Sequence, residues 1–443
     1  MSDWLTDHPD IRAVRTAAVD LNGLTRGKRM PRALASKAFE AGVRMPLSVL
    51  NVDIKGEDIE ASPLVFETGD RDGVLWPTER GFVAMPWLET PTALLPMWMS
   101  TDAGVPFEGD PRHALRRVLD RYAAKGLRPV VATELEFYLV DDSGKRLRPP
   151  ASPRSGKRHT GGEVLSMRVL DAFDTFFTEL YDGCEAMDIP AETAISESGA
   201  GQFEINLTHG DAMKAADDTW LFKLLVHGLA RKHGFAASFM AKPYPDQAGS
   251  GMHAHFSILN ASGHNIFNDR TDAGTPALKH AIAGCLAAMP GSTLIFAPHG
   301  TSYDRFVSGA HAPTGIGWAY ENRTAAIRVP SGLPIARRIE HRAAGGDINA
   351  YLLLAAMLGA ALIGLEDKLQ APEPITGNAY SQDLQQIPKT WEDAIETFER
   401  DPFIARIFAK ALIRNYVLTK RQEAAFFGDL TSTERLRLYL DTV

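Results

Sequence analysis

Three segments of this chain place ionisable residues at every second position and a fourth sets two acids either side of a turn, and that patterning restricts the fold more than any other feature. In Val131-Ala-Thr-Glu-Leu-Glu-Phe137, Glu134 and Glu136 are two apart, with Leu135, Phe137 and Leu139 between and after them. Successive side chains of a strand point to opposite faces, so the acids share one face and the apolar residues the other. In Glu197-Ser-Gly-Ala-Gly-Gln-Phe-Glu204, two acids flank a Gly-x-Gly turn that can fold back and aim both carboxylates at one place. His253, His255 and Ser257 alternate in Gly249-Ser-Gly-Met-His-Ala-His-Phe-Ser257, as do Arg338, Glu340 and Arg342 in Arg337-Arg-Ile-Glu-His-Arg342. One such strand is an ordinary solvent-facing row of an antiparallel sheet. Four predict a sheet with one face on a core and the other crowded with carboxylates and imidazoles. Crowded carboxylates repel unless a cation neutralises them. Several oxygens with an imidazole suit Mg²⁺ or Mn²⁺ better than zinc, and pairs of such ions serve phosphoryl transfer.

Around these strands the chain reads as α+β. Residues 1–109 give short apolar runs (Ile11–Leu21, Leu47–Ile54, Phe82–Met85, Ala93–Met99) and one helix, Pro31–Ala41, predicting a small β-rich domain. The texture changes at Asp110-Pro111, an N-cap followed by proline at the first helical position. From there a large domain, 110–443, is expected, with strands at 129–140, 191–197, 202–207, 235–241, 253–259 and 338–343. Helices are expected at 166–187, 212–233 and 347–366 and in the tail beyond Trp391. The stretch 143–163 is rich in Pro, Gly, Ser and basic residues and reads as a surface loop.

Arginines form the complementary set. Arg323 and Arg328 lie in Glu321-Asn-Arg-Thr-Ala-Ala-Ile-Arg-Val-Pro330, Arg305 in Ser302-Tyr-Asp-Arg-Phe306, and Arg338 and Arg342 flank Glu340. Guanidinium forks bind phosphate and carboxylate bidentately. No Gly-x-x-x-x-Gly-Lys-Ser/Thr loop, strand-linked Gly-x-Gly-x-x-Gly or Gly-x-Ser-x-Gly occurs, so a P-loop, a Rossmann site and a serine-hydrolase elbow are unsupported. The net charge of -8 argues against nucleic acid or an anionic membrane as partner. The two cysteines, Cys184 and Cys285, make no disulfide framework, and Ala350–Leu365 is short for a bilayer span. With a polar N-terminus lacking a signal-peptide pattern, a cytoplasmic, soluble protein is expected.

Taken together these strings resemble the glutamine synthetase family, from Asp20-Leu-Asn-Gly-Leu-Thr-Arg-Gly-Lys-Arg29 to the helix after Asp347. Within it the likeness is greatest to the γ-glutamylpolyamine synthetases, in Asp20–Arg29, in Gly201-Gln-Phe-Glu-Ile-Asn-Leu207 and in Phe239-Met-Ala-Lys-Pro-Tyr244 leading to Gly249-Ser-Gly-Met-His253. The resemblance implies a β-grasp-like N-terminal domain and a catalytic α/β domain. It implies a homododecamer of two hexameric rings, with sites between neighbouring subunits. One Mg²⁺ or Mn²⁺ would be held by Glu136, Glu197 and Glu204, a second by Glu134, His253 and Glu340. His255 and Ser257 fall where the family contacts ATP, and Arg323, Arg328 and Arg338 where it grips phosphates. Arg305 and Arg342 match binders of the glutamate carboxylate, and Gly249 a backbone contact to its amino group.

Three departures bear on the acceptor. The family's Asp-Gly-Ser-Ser segment is here Asn51-Val-Asp-Ile-Lys-Gly56, keeping only Asp53. Asn-Gly-Ser-Gly-Met-His becomes Ala248-Gly-Ser-Gly-Met-His253, and the flap glutamate six residues beyond Arg305 becomes His311. These changes favour an ATP-dependent ligation of L-glutamate to a primary amine such as putrescine, with Asp53 or His311 taking the amine's proton. An ammonia-using glutamine synthetase, a ligase for methylamine, isopropylamine or ethanolamine, and a catalytically dead regulator are the other readings. Tyr380 falls in a loop that some relatives adenylylate.

Overall fold

A computed structural model describes residues 3–144, 146–271, 273–307, 309, 312–440 and 442–443. The first sheet comes from β1 (Ala13–Val19), β2 (Thr25–Pro31), β3 (Val43–Pro46), β4 (Asp72–Pro77), β5 (Val83–Ala84) and β6 (Thr92–Thr101). Its order is β2-β1-β6-β4-β3 with β5 on β6. β1 and β6 run parallel and the other pairs antiparallel.

Two sequence expectations fail in this region. Pro31–Ala41 is not one helix: Pro31 pairs with Ala13 as the last residue of β2. A 3₁₀ turn, Arg32–Leu34, and a short helix, Lys37–Glu40, follow. Leu47–Ile54 is not a strand: Leu47–Asn51 forms a 3₁₀ turn. There Asn51 donates from Nδ2 to the Gly109 carbonyl at 2.8 Å and accepts from Asn415 at 2.7 Å. Side chain to backbone bonds of this kind compete with strand pairing.

The second sheet comprises β7 (Leu127–Val140), β8 (Ala191–Ser196), β9 (Gln202–Asp211), β10 (Ala236–Ser238), β11 (Met252–Asn260), β12 (Trp318–Tyr320), β13 (Ile327–Val329) and β14 (Ile339–His341). Its order is β12-β13-β14-β11-β7-β9-β8, with β10 on β7. β7 is therefore central, between β11 and β9. Its residues Leu135, Phe137 and Leu139 are fully buried, and the Phe137 ring meets Phe203, Phe222 and Phe239.

Helices cover that apolar face. Pro111–Ala123 starts as expected, with Asp110 accepting from the Arg112 amide. The expected helix 166–187 breaks at Phe173 into Met167–Ala172 and Asp174–Ala186. Pro276–Phe296, which the sequence reading did not anticipate, packs on Ala350–Asp367. Their backbones cross at Gly284 and Gly364, where an added Cβ on either would lie 2.1 Å from the partner helix's carbonyl oxygen. Ala350–Asp367 is long and apolar enough to cross a membrane, and 83% of it is buried in the protein. Ala17, Val19 and Leu94 of the first sheet join the same large core. The two sheets are thus not independently filled.

Candidate active site

The polar face of the second sheet is assembled by strand register. Glu134 of β7 lies opposite His253 of β11, and Glu136 lies opposite Glu204 of β9. His255 and Arg328 both lie opposite Glu340 of β14, one on each side. Glu204 pairs with Ile195, and the Glu197 amide donates to the Gln202 carbonyl. Glu197 and Glu204 thus share a face across the hairpin. Donor atoms of Glu134, His253 and Glu340 lie within 4.8 Å of one another, and so do those of Glu136, Glu204 and His253.

Protonation follows from the partners. Glu134 Oε2 is 3.2 Å from His253 Nδ1, and Oε1 is 2.9 Å from His255 Nε2. Against the burial that would raise it, these two imidazoles hold the Glu134 carboxyl well below the usual range. An ionised carboxylate only accepts, so each histidine donates to it. Burial and then Arg342 lower the His253 imidazole to about 4. A neutral His253 donating from Nδ1 keeps its Nε2 lone pair for a ligand. His255 is committed on both sides, since its Nδ1 accepts from Arg338 Nε at 3.3 Å. It links Glu134 to Arg338.

The remaining acids differ in how far their partners offset burial. Burial, with Glu197 opposing ionisation too, raises Glu136 to about 7, although the Gly251 amide donates to its Oε2 at 2.7 Å. Burial and then Glu134, Glu136 and Glu197 push Glu204 up to about 9. Glu197 is also raised, chiefly by burial. Glu340 goes the other way: despite burial, Arg342 and then His253, His255 and Arg328 lower it. Arg328 Nη1 donates to its Oε2 at 2.6 Å and Arg342 Nη1 donates to its Oε1. Both arginines are therefore engaged with an acid of the cluster rather than facing open space.

Arg305, 4% exposed on the turn Gly300–Arg305, donates to the Ala343 carbonyl at 2.9 Å. It packs so closely that a Cβ at Gly251 would lie 2.7 Å from its Nη2, and one at Gly249 would lie 2.9 Å from its Cγ. Gln202, missed by the sequence reading, holds the Gly249 carbonyl at 3.0 Å. Arg323 is exposed in the turn after β12, with its charge felt at Glu197.

Next to this cluster is a cavity of about 780 Å³. Arg128, Val130, Ala132 and Glu134 line it in alternation along β7, as do His255, Ser257 and Leu259 along β11. Arg338 and Ile335 close one side. From Glu134 to Arg128 the strand runs about 20 Å, so a long ligand can lie along it with one end at the carboxylates. Arg128, Asn206 and His209 also line it and were not anticipated. Arg128 and Asn206 were legible by alternation from Glu134 and Glu204.

One anticipated residue, Asp53, does not join the cluster. Asp53 is fully buried just after the turn Leu47–Asn51. It accepts from the amides of Lys55 and Glu57, both at 2.9 Å, and from Gln422 Nε2 at 3.0 Å. His311 lies outside the described residues. Tyr380 is half-buried and donates from its hydroxyl to the Ala312 carbonyl at 3.1 Å.

Comparison with known proteins agrees with this geometry. Residues 108–439 match the family described as "Glutamine synthetase, catalytic domain". The chain is 37% identical to gamma-glutamylputrescine synthetase PuuA of Escherichia coli, over 97% of this chain and 92% of that protein. It is 29% identical to glutamate–isopropylamine ligase of a Pseudomonas species, over 100% and 97% of the two chains. Among solved structures, "GmaS/ADP complex-Conformation 1" superposes with a TM-score of 0.85 at 27% identity, covering 99% of both chains. The α+β architecture is that of these proteins, and the chain belongs to the glutamine synthetase family.

Proposed function

We propose that the protein is an ATP-dependent ligase that joins the γ-carboxylate of L-glutamate to a primary amine, with putrescine the favoured acceptor. The observation that carries this reading is the sheet face on which a strand-long cavity reaches Glu134, one of a cluster of carboxylates whose Glu340 is held by the buried Arg342. The 37% identity to a γ-glutamylputrescine synthetase over nearly the whole chain supports the choice of amine.

The donor set fits divalent cations. Burial, with neighbouring carboxylates adding to it, raises Glu136 to about 7 and Glu204 to about 9, a penalty on the ionised forms that a hard cation relieves. Glu134, His253 and Glu340 would hold one Mg²⁺ or Mn²⁺, and Glu136, Glu197 and Glu204 the other. When bound, such ions neutralise phosphate oxygens and polarise the carboxylate.

ATP would lie along β7 and β11 over His255 and Ser257, its phosphates toward Arg323, Arg328 and Arg338. Arg305 and Arg342 would grip the α-carboxylate of glutamate, and the Gly249 carbonyl, held by Gln202, its amino group. The glutamate γ-oxygen attacks the γ-phosphorus, the bond to ADP breaks, and an acyl phosphate forms. The amine nitrogen then attacks the acyl carbon, phosphate leaves with the former carboxylate oxygen, and the nitrogen loses a proton. Activation splits one difficult amide synthesis into two easier steps. Asp53 of a neighbouring copy in a ring-built dodecamer, or His311, would accept that proton. Arg328 and Arg342 exchange Glu340 for substrate as the site fills.

Glutamate labelled with ¹⁸O in its γ-carboxylate tests this route. Released phosphate should carry one label per turnover, and only when ATP and amine are both present. Unlabelled phosphate would exclude the acyl phosphate.

A further inference from the structure

The loop Gln247-Ala-Gly-Ser-Gly251 precedes β11 and carries the backbone assigned above to the glutamate amino group. After Gln247 its residues are small, and its backbone is fastened from outside. Gln247 Oε1 accepts from the Ala200 amide at 2.7 Å. The Ala248 carbonyl accepts from the Tyr138 hydroxyl at 2.7 Å, and the Gly249 carbonyl from Gln202 Nε2 at 3.0 Å. At the far end Gly251 is tied to Glu136: its amide donates to Oε2 at 2.7 Å and its carbonyl accepts from the Glu136 amide at 3.1 Å.

Gln202 and Gln247 are a reciprocal pair. Gln202 sits on the hairpin between Glu197 and Glu204 and reaches into the loop, while Gln247 sits on the loop and reaches back to the hairpin turn. The Gln202 amide has a fixed orientation. Its Oε1 accepts from the Gly199 amide at 2.9 Å, so its Nε2 is the end that donates to the Gly249 carbonyl. Gln202 is 2% exposed, where an unmade hydrogen bond is costly. Tyr138 lies opposite it in the β7–β9 register. Burial and then Glu136 and Tyr244 raise the Tyr138 phenol, which stays protonated and donates. A Cβ at Gly199 would overlap that hydroxyl, so the glycine is what lets the turn lie on Tyr138.

We propose that Gln202, with Gln247 as its counterpart, is a positioning residue that makes the site select acids bearing an α-amino group. The inference rests on the assignment of glutamate to this loop. A carbonyl oxygen has two lone pairs. Gln202 occupies one at Gly249 and thereby aims the other, which is left for the substrate ammonium. Ala248 offers no polar side chain, so recognition of the amino group falls to this backbone carbonyl. Glycine is the most permissive backbone residue, and a Gly249 carbonyl released by Gln202 is free to turn. The ammonium then loses its fixed partner, while the two substrate carboxylates keep theirs. A hydrogen bond to a charged group is worth about tenfold or more in affinity.

Glutarate, which is glutamate without the α-amino group, separates positioning from folding. Phosphate release with ATP and putrescine saturating gives the glutamate KM and the inhibition constant of glutarate against glutamate. In the unsubstituted protein the glutarate constant should exceed the glutamate KM by about tenfold or more. Gln202→Met fills the same space without hydrogen bonds. It should raise the glutamate KM by about tenfold while the glutarate constant stays close to its original value. Gln247→Met, on the half-buried loop, should shift the same ratio in the same direction and decides the matter if Gln202→Met does not fold. An equal loss for both acids, or an unchanged ratio in the variants that fold, overturns the proposal and leaves the functional reading standing. An unsubstituted protein that does not consume glutamate overturns that reading, and the proposal with it.

Discussion

Replacing Glu340 by glutamine separates two roles that one side chain holds at once. Glu340 is 1% exposed, bonds Arg328 and Arg342, and has a carboxylate oxygen within 4.8 Å of donor atoms of Glu134 and His253. Glutamine preserves the volume and one acceptor oxygen but deletes the charge. At an effective dielectric of 20, a unit charge pair about 5 Å apart interacts by about 3 kcal/mol. Losing one carboxylate from the trio should therefore weaken divalent-cation binding by about a hundredfold. Even at saturating cation, kcat should fall about 10²–10³-fold, as when a donor that stabilises transition-state charge is removed. Mn²⁺ titration followed by electron paramagnetic resonance gives the affinity, and amine-dependent phosphate release gives the rate. Mn²⁺ affinity within threefold of the unsubstituted protein would refute the reasoning and leave Glu340 a counter-ion for two arginines.

Other consequences follow from the same contacts. Arg342→Lys keeps the charge but loses the two-pronged geometry, so the glutamate KM should rise and kcat fall together while the ATP KM holds, by steady-state kinetics. Glu136 and Glu204, raised to about 7 and about 9, bind protons that a cation must displace, so apparent Mg²⁺ affinity should climb between pH 6 and 9, by calorimetry; a flat profile would contradict it. The fully buried Lys420–Glu423 pair (2.9 Å), shared with Asn22, ties the helix Lys410–Phe427 to the β1–β2 turn. Glu423→Ala should cost about 3–5 kcal/mol by leaving a buried ammonium unpaired, whereas the double change Lys420→Met with Glu423→Leu should cost far less, by chemical denaturation.

The site was legible where its residues lie on half-buried strands. Period-two alternation fixes which side chains share a face, and Glu134, Glu136, His253, His255 and Glu340 followed from it. Applied only to acids and histidines, the same rule passed over Arg128, Gln202 and Asn206, which occupy the same alternating positions. Pro276–Phe296 escaped because it is buried nearly all round. With no polar stripe, a helix loses the 3.6 period that announces it. Leu47–Asn51 mimicked a strand because alternation over so few residues also suits a turn that buries Ser48, Leu50 and Asn51. Pairings such as Arg328 and Arg342 on Glu340 depend on side chain reach between three strands, which spacing along one strand does not encode. Asp53 keeps its own-chain partners for the same reason: its loop is met by Gln422, far away in sequence.

The central claim is that the acceptor is an alkyl amine, and the ratio of kcat/KM for putrescine to that for ammonium tests it most directly. Burying four methylenes at about 0.8 kcal/mol each supplies roughly 3 kcal/mol, a preference of about a hundredfold before desolvation losses. Initial rates of ADP formation with glutamate and ATP saturating, at matched amine concentrations and with the product identified by mass, give the ratio. The account predicts a ratio well above one, with γ-glutamylputrescine as product. A ratio below one, with glutamine as product, would contradict it.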